Sequence, residues 1–239
     1  MIIIPDIHGR SFWLKPARDF GGKEHFVFLG DYLDPYSYEG ITPERAFDMF
    51  QAVLDFKEAN PDKVTLLLGN HDLHYIDRHL EGGRYDYLHG MFIRELILDH
   101  ADWFQMAFET ETGGKKFLMT HAGVLHGWLL ANRDALGITA PEEIVPKLNA
   151  MWADEWHRRI LLRTLADIPY SRWGHSQYGS PIWNDIDDIN DNLEEVEGYY
   201  QIFGHSQQEH KPVIGEHFAC LDVRDAFRLT EDGEIIKID

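Results

Sequence analysis

The chain has 239 residues, 44% of them hydrophobic and 13% aromatic, which is the make-up of a folded protein with a sizeable core and fits one domain carrying an insertion. Asp and Glu number 41 against 22 Lys and Arg, for a formal net charge of −19; with no dense basic cluster, there is no footprint for tracking a nucleic-acid backbone. A lone cysteine, Cys220, excludes an intrachain disulfide and reads as a small buried apolar residue.

Met1-Ile2-Ile3-Ile4 is broken at once by Pro5 and Asp6, too short for a signal-peptide core, and no apolar stretch could span a bilayer; a cytoplasmic protein with no membrane partner is expected. Ile2 to Ile4 read as a buried strand leading to Asp6-Ile7-His8-Gly9. Trp13 to Phe20 could be a helix. Phe26 to Leu29 form a second strand and deliver Gly30-Asp31-Tyr32-Leu33-Asp34-Pro35, two carboxylates three residues apart. Thr42-Pro43 is an N-cap with proline at the first helical position, and Ala46, Met49, Phe50 and Val53 share one helical face that ends before Asn60-Pro61. Val64 to Leu68, nearly all apolar, is a third strand of the kind covered on both faces, and runs into Gly69-Asn70-His71-Asp72. Alternating strands and helices of this kind are the mark of an α/β fold.

Phe92 to Ala101 reads as another helix. Phe108–Thr112 and Lys116–Thr120 flank Gly113-Gly114 as a β-hairpin, so His121 of Thr120-His121-Ala122-Gly123 also arrives at a strand end. From about 124 to 198 helical spacing and tryptophans (Trp128, Trp152, Trp156, Trp173, Trp183) dominate, and Thr139 and Glu142 stand in the capping-box relation. This reads as a mainly helical insertion. Within it Asn184 to Glu197 is acidic; Asp185, Asp187 and Asp191 miss a calcium-loop pattern, because Ile189 occupies a ligand position and no central Gly is present, so a solvated loop is expected. Tyr199 to Phe203 ends in Gly204-His205-Ser206, Phe218 to Leu221 ends in Asp222, and Ala226–Leu229 with Ile235–Ile238 form a closing hairpin.

Loops beyond the carboxyl ends of parallel strands can meet although they are distant in sequence. Five of them carry Asp6, His8, Asp31, Asn70, His121 and His205. Oxygen and imidazole donors without thiolate suit Mn, Fe, Zn or Co. The number of donors implies two ions, and a carboxylate such as Asp31 can bridge a pair about 3.5–4 Å apart, the spacing used for in-line displacement at phosphorus.

Asp-Ile-His-Gly, Gly-Asp-Tyr-Leu-Asp, Gly-Asn-His-Asp, His-Ala-Gly and Gly-His-Ser, in that order and each after a strand, resemble the calcineurin-like metallophosphoesterases. The resemblance is greatest to the branch that holds serine/threonine phosphoprotein phosphatases and symmetrical diadenosine tetraphosphate hydrolases. It covers Asp6 to His205 except the insertion. It implies a sandwich of two mixed β-sheets flanked by helices, with Asp6, His8 and Asp31 on one metal and Asp31, Asn70, His121 and His205 on the second. His71 is then the proton donor to the leaving oxygen, with Asp34 hydrogen-bonded to it, and the attacking group is a metal-bridging hydroxide. Manganese is the first choice of metal.

One departure bears on substrate. The phosphoprotein phosphatases carry arginine directly after the second aspartate of the Gly-Asp motif, where it grips phosphate; here that position is Pro35. Arg10, Arg172 and Arg224 are the candidates to replace it. The expected activity is phosphate-ester or nucleotide-phosphoanhydride hydrolysis, on a phosphorylated small molecule, a nucleotide or a phosphoprotein. The rivals are a phosphodiesterase, disfavoured because Gln207 stands where many diesterases have a second histidine, and a non-catalytic module, disfavoured because all the ligand types are present. His74, three residues after His71, either lines the pocket or falls on that helical face by accident.

Overall fold

A computed structural model describes residues 1–80, 82–192 and 196–238, with the side chains of 190–192 left out of the description. In chain order the elements are β1 (Ile2–Ile4), α1 (Leu14–Arg18), β2 (Phe26–Phe28), α2 (Pro43–Ala59), β3 (Val64–Leu67), α3 (Asn70–Leu73), α4 (Gly90–Asp99), β4 (Phe104–Gln105), β5 (Phe108–Thr112) and β6 (Lys115–Met119). They continue with α5 (His126–Ala131), α6 (Arg133–Leu136), α7 (Ile144–Ala153), α8 (Glu155–Leu165), α9 (Ile186–Asn192), β7 (Tyr199–Phe203), β8 (Val213–Ile214), β9 (Phe218–Cys220), β10 (Phe227–Leu229) and β11 (Ile235–Lys237).

Among the described residues the strands form two sheets, ordered β11-β10-β1-β2-β3-β4 and β5-β6-β7-β9-β8. Both are mixed. β1 through β4 run parallel, with β10 and β11 added antiparallel; β6, β7 and β9 run parallel, with β5 and β8 antiparallel at the edges. The period of two along a strand decides what fills each layer. Ile3, Val27 and Leu67 of the first sheet meet Phe117, Met119, Ile202 and Ala219 of the second in a core between the sheets. Their neighbours Ile2, Ile4, Phe26, Phe28, Val64 and Leu66 turn outward to a second core shared with Met49, Phe50 and Val53 of α2. Each such fully buried side chain contributes about 1.5–3 kcal/mol relative to exposure. This is the α/β sandwich of two mixed sheets flanked by helices.

Local chemistry explains most boundaries. The Thr42 hydroxyl caps α2 by accepting from Arg45 N, with Pro43 at the first position, and Gly113 and Gly114 take φ of 57° and 71° in the β5–β6 turn, which side chains other than glycine rarely adopt. Three expectations are corrected. The cap before α7 uses Glu143, not Glu142: its Oε2 accepts from Thr139 N at 2.7 Å and Thr139 Oγ1 at 2.8 Å, because a short 3-10 turn at Pro141–Glu143 shifts the helix start. The first helix covers only Leu14–Arg18. The fourth covers Gly90–Asp99, with a 3-10 turn at Ala101–Trp103 after it.

The segment between β6 and β7 is largely helical and is sewn to the sheets by buried amides. Gln201 of β7 accepts from Val124 N at 2.7 Å and donates to its carbonyl at 3.0 Å; Asn149 of α7 makes the same paired contact with Ala107. Trp128 and Trp152 are buried, whereas Trp156 and Trp173 are exposed, so the tryptophans are not one core stripe. The acidic stretch is not only a solvated loop: it contains α9, which buries Ile186 and Ile189, while Asp191 and residues 193–195 lie outside what the side-chain description covers. Among the described residues no helix is long and apolar enough to cross a membrane.

Candidate metal centre and its histidine cluster

Parallel strands of both sheets end at one rim. β1 delivers Asp6 and His8, β2 delivers Asp31 and Asp34, β3 runs into Asn70 and His71, β6 into His121, β7 into His205 and β9 into Asp222. The loop backbones are tied together by the same carboxylates. Asp72 accepts from Gly69 N and Asp31 N, both at 2.8 Å, and from Tyr32 N at 3.0 Å; Asp31 Oδ1 accepts from His71 N at 2.9 Å; Asp6 accepts from His205 N at 3.0 Å. His8, Asp31, Asp34, Arg84 and His205 all have φ between 45° and 68°. Left-handed backbone at non-glycine residues is costly and gathers at functional sites. Gly69 is required by proximity, since a Cβ there would collide with Asp31 Oδ1 and lie 2.7 Å from His121 Cε1.

All six expected metal ligands are buried and come together. Asp6, His8 and Asp31 offer donor atoms within 4.8 Å of one another, as do Asp31, His121 and His205. Asp31 faces both groups: Oδ2 is 3.5 Å from His8 Nε2, and Oδ1 is 3.5 Å from His121 Nε2. Asn70 Oδ1 and His205 Nδ1 each lie 3.1 Å from His121 Nε2. The ring orientations are set from behind, because His8 Nδ1 meets the Leu33 carbonyl at 2.6 Å and His121 Nδ1 the Leu29 carbonyl at 2.8 Å. With Nδ1–H donated to a carbonyl, Nε2 is the ring atom left facing inward to take a metal ion or a proton, the usual arrangement of a metal-binding imidazole. Acceptors facing one another in a buried space require a cation or a proton between them, so the residues fit a metal site.

The electrostatics carry the same message. Burial, with the Asp31 charge adding to it, pushes the Asp6 carboxyl up to about 6. Burial holds His8 down at about 3. Burial also opposes charge on His121, but Asp31 and Asp6 outweigh it and lift that ring to about 10. Asp222, which sequence reasoning noted only as a strand end, is buried beside this cluster with Oδ1 lacking a hydrogen-bond partner among the described residues; burial and the Asp6 charge push its carboxyl up.

Next to these groups lies a second cluster, Asp34, His71 and His74. Asp34 Oδ2 is 2.8 Å from His71 Nδ1 and 2.7 Å from His74 Nε2, and Oδ1 accepts from the Tyr75 hydroxyl. Burial works against the Asp34 charge, yet the two imidazoles hold its carboxyl below the usual range. His74 therefore belongs to the site rather than falling beside it by chance.

The three arginines singled out in the sequence are near the rim but committed to carboxylates. Arg10 forms a two-pronged pair with Glu39 at 2.8 and 2.9 Å, Arg224 shares Glu39 at 3.2 Å, and Arg172 pairs with Asp185 at 2.6 Å while donating to Ser206 Oγ at 3.0 Å. Arg172 alone of the three is among the charges that act on His205, helping burial keep that ring well below its ordinary value. Sequence reasoning missed Arg84. Its Nη2 donates to His71 Nε2 at 2.8 Å and its Nη1 to the Asp34 carbonyl at 2.8 Å, and its guanidinium lies 3.6 Å from the centre of the Tyr36 ring. The signal available was Gly82-Gly83 just before it, too common a pair to single out.

Two mixed sheets with buried Asp/His clusters at one rim define a class of α/β proteins able to hold metal at their strand ends. The chain belongs to the calcineurin-like phosphoesterases, whose family model matches residues 1–209. Membership brings divalent-metal-dependent hydrolysis of phosphoesters, and the clusters described above are where metal could sit. Among solved structures the chain is similar to a protein serine/threonine phosphatase from Saccharomyces cerevisiae with similarity to human phosphatase PP5, at 16% identity and a TM-score of 0.52, over 92% of this chain and 65% of that one. It also aligns with a cold-active protein tyrosine phosphatase at 16% identity and a TM-score of 0.49, over 99% of this chain and 77% of that one. At 16% identity the similarity to the yeast phosphatase speaks to fold alone.

Proposed function

We propose that this chain is a dinuclear-metal phosphatase that hydrolyses phosphate esters, with the segment at 124–198 working as part of the same unit. The observation that carries the reading is Asp31, whose two oxygens face His8 and His121 at 3.5 Å each, so that one carboxylate stands between the two sets of residues that would hold metal. Asp6 and His8 complete one ligand set and Asn70, His121 and His205 the other. Donors without thiolate fit manganese, iron, zinc or cobalt, and manganese is the first to test. Bound there, the ions would supply an activated water and polarise the phosphoryl oxygens.

The chain's own residues do the rest. His71 N donates to Asp31 Oδ1, which fixes the ring's position against the bridging carboxylate. Asp34 takes the His71 Nδ1 proton as a hydrogen bond; Nε2, which accepts from Arg84 Nη2 at 2.8 Å, is the atom that would exchange a proton with the departing oxygen once a substrate phosphate draws the guanidinium away. His74 and Tyr75 hold Asp34 in place. A phosphorylated small molecule, a nucleotide or a phosphoprotein segment satisfies this chemistry. The test is hydrolysis of p-nitrophenyl phosphate, its bis-ester, diadenosine tetraphosphate and a phosphopeptide by the metal-loaded protein: turnover of the monoester is expected, and inactivity on all four overturns the reading.

A further inference from the structure

Replacing the family's arginine by Pro35 does not leave the site without a cation. Arg84 enters on the loop that precedes α4. Its contacts hold it beside His71: Nη1 is anchored on the Asp34 carbonyl, Nη2 donates to His71 Nε2, and the guanidinium rests on the Tyr36 ring. Tyr36 in turn packs edge-on against His8, 5.2 Å between ring centres, so the platform for Arg84 is joined to the metal ligands. Arg10, Arg172 and Arg224 are each bound to a carboxylate, whereas among the described residues no carboxylate pairs with Arg84. An arginine held by a carbonyl and an aromatic face keeps its remaining N–H groups for an anion, and its planar fork suits phosphate.

A cavity of about 560 Å³ opens beside Asp34 and Arg84. Its wall includes Leu33, Pro35, Ile41, Pro43, Tyr85 and Tyr87. This is room for a ring system and is lined as ligand pockets usually are, by apolar and aromatic groups around a few polar ones. Asp34, the hydrogen-bond partner of His71 Nδ1, and Arg84 are part of its lining. Pro35 thus puts an apolar side chain in the wall of this cavity.

We propose that Arg84 is the phosphate-binding cation of this site, and that the substrate is a phosphate monoester of an aromatic alcohol whose ring enters the cavity beside it. This deepens the phosphatase reading and rests on it. The reaction it serves is hydrolysis: the phosphorus–oxygen ester bond breaks, water supplies the new oxygen on phosphorus, and the departing aryl oxygen is released as the alcohol with a proton.

The test separates the two layers. Binding of inorganic phosphate to the manganese-loaded protein, followed by calorimetry, reads Arg84 without turnover. Arg84→Ala is expected to weaken it about 10- to 100-fold, the effect of losing a charged hydrogen-bonding partner, with Arg84→Lys intermediate and metal content unchanged; Tyr36→Phe is expected to preserve binding and Tyr36→Leu to weaken it. Unchanged phosphate affinity in Arg84→Ala overturns the assignment. For the cavity, wild-type protein is expected to favour 1-naphthyl phosphate over glycerol 3-phosphate at least tenfold in kcat/KM, and Ile41→Trp to erase that preference while leaving phosphate affinity intact. Equal or reversed preference overturns the aromatic-substrate proposal. Failure of the wild type to hydrolyse any phosphoester sinks the phosphatase reading itself, and the calorimetric result still decides whether Arg84 binds phosphate.

Discussion

Asp34 Oδ2 lies 2.8 Å from His71 Nδ1, and both side chains are buried. The carboxylate takes Nδ1 and leaves Nε2 as the ring nitrogen that would face the substrate in the proposed reaction. Asp34→Asn keeps the shape but not the charge. It is expected to lower kcat on alkyl phosphates about 10- to 100-fold, with two metals still bound. A variant with unchanged kcat contradicts the orienting role.

His71 itself should matter in proportion to the leaving group. His71→Ala is expected to slow hydrolysis of an alkyl phosphate roughly 100- to 10,000-fold, the usual range for a lost general acid. The loss should be much smaller for p-nitrophenyl phosphate, whose leaving group needs no proton. Equal losses on both substrates would place His71 in binding rather than proton transfer.

Metal uptake should release protons. In the metal-free protein the carboxylates Asp31 and Asp6 overcome burial and lift His121 to about 10, above its ordinary 6.5. The ring is therefore protonated near neutral pH, and a metal ion must displace that proton. Apparent affinity is expected to rise with pH, about tenfold per unit for one displaced proton, until about pH 10. Folding stability without metal carries the opposite sign: the His121 contribution is fully present below about 6.5 and is lost as pH rises through about 10. Calorimetry in buffers of different ionisation enthalpy measures the release, and no buffer dependence contradicts it.

Gly69 lets the β3 loop approach Asp31 and His121. Gly69→Ala would drive a methyl group into Asp31 Oδ1 and the His121 ring. A destabilisation of about 1–3 kcal/mol is expected from such overpacking, together with loss of the second metal. Thermal unfolding with and without manganese reads both effects, and an unshifted Tm with full metal binding contradicts them.

The parts of this protein that sequence displays are those set by short-range rules. Short, nearly continuous apolar runs located β1, β2, β3, β6 and β7, and residue type at their ends located all six buried ligand candidates. What it hides is set by packing across the chain. Arg84 reaches His71 by side-chain contacts with Asp34 and Tyr36, distant in sequence, which the Gly82-Gly83 pair beside it does not encode. Arg10 and Arg224 converge on one carboxylate, Glu39, an ion pair that composition cannot foretell. The shift from Glu142 to Glu143 as the capping acid shows the limit of spacing rules when a 3-10 turn starts a helix.

The most direct test of the account is to titrate the metal-free chain with manganese while following bound metal and p-nitrophenyl phosphate hydrolysis together. The account predicts that activity appears with metal, reaches its plateau at two ions per chain, and is abolished in Asp31→Asn along with metal binding at both positions. Full loading with two ions and no turnover, or turnover that persists after chelation, would contradict it.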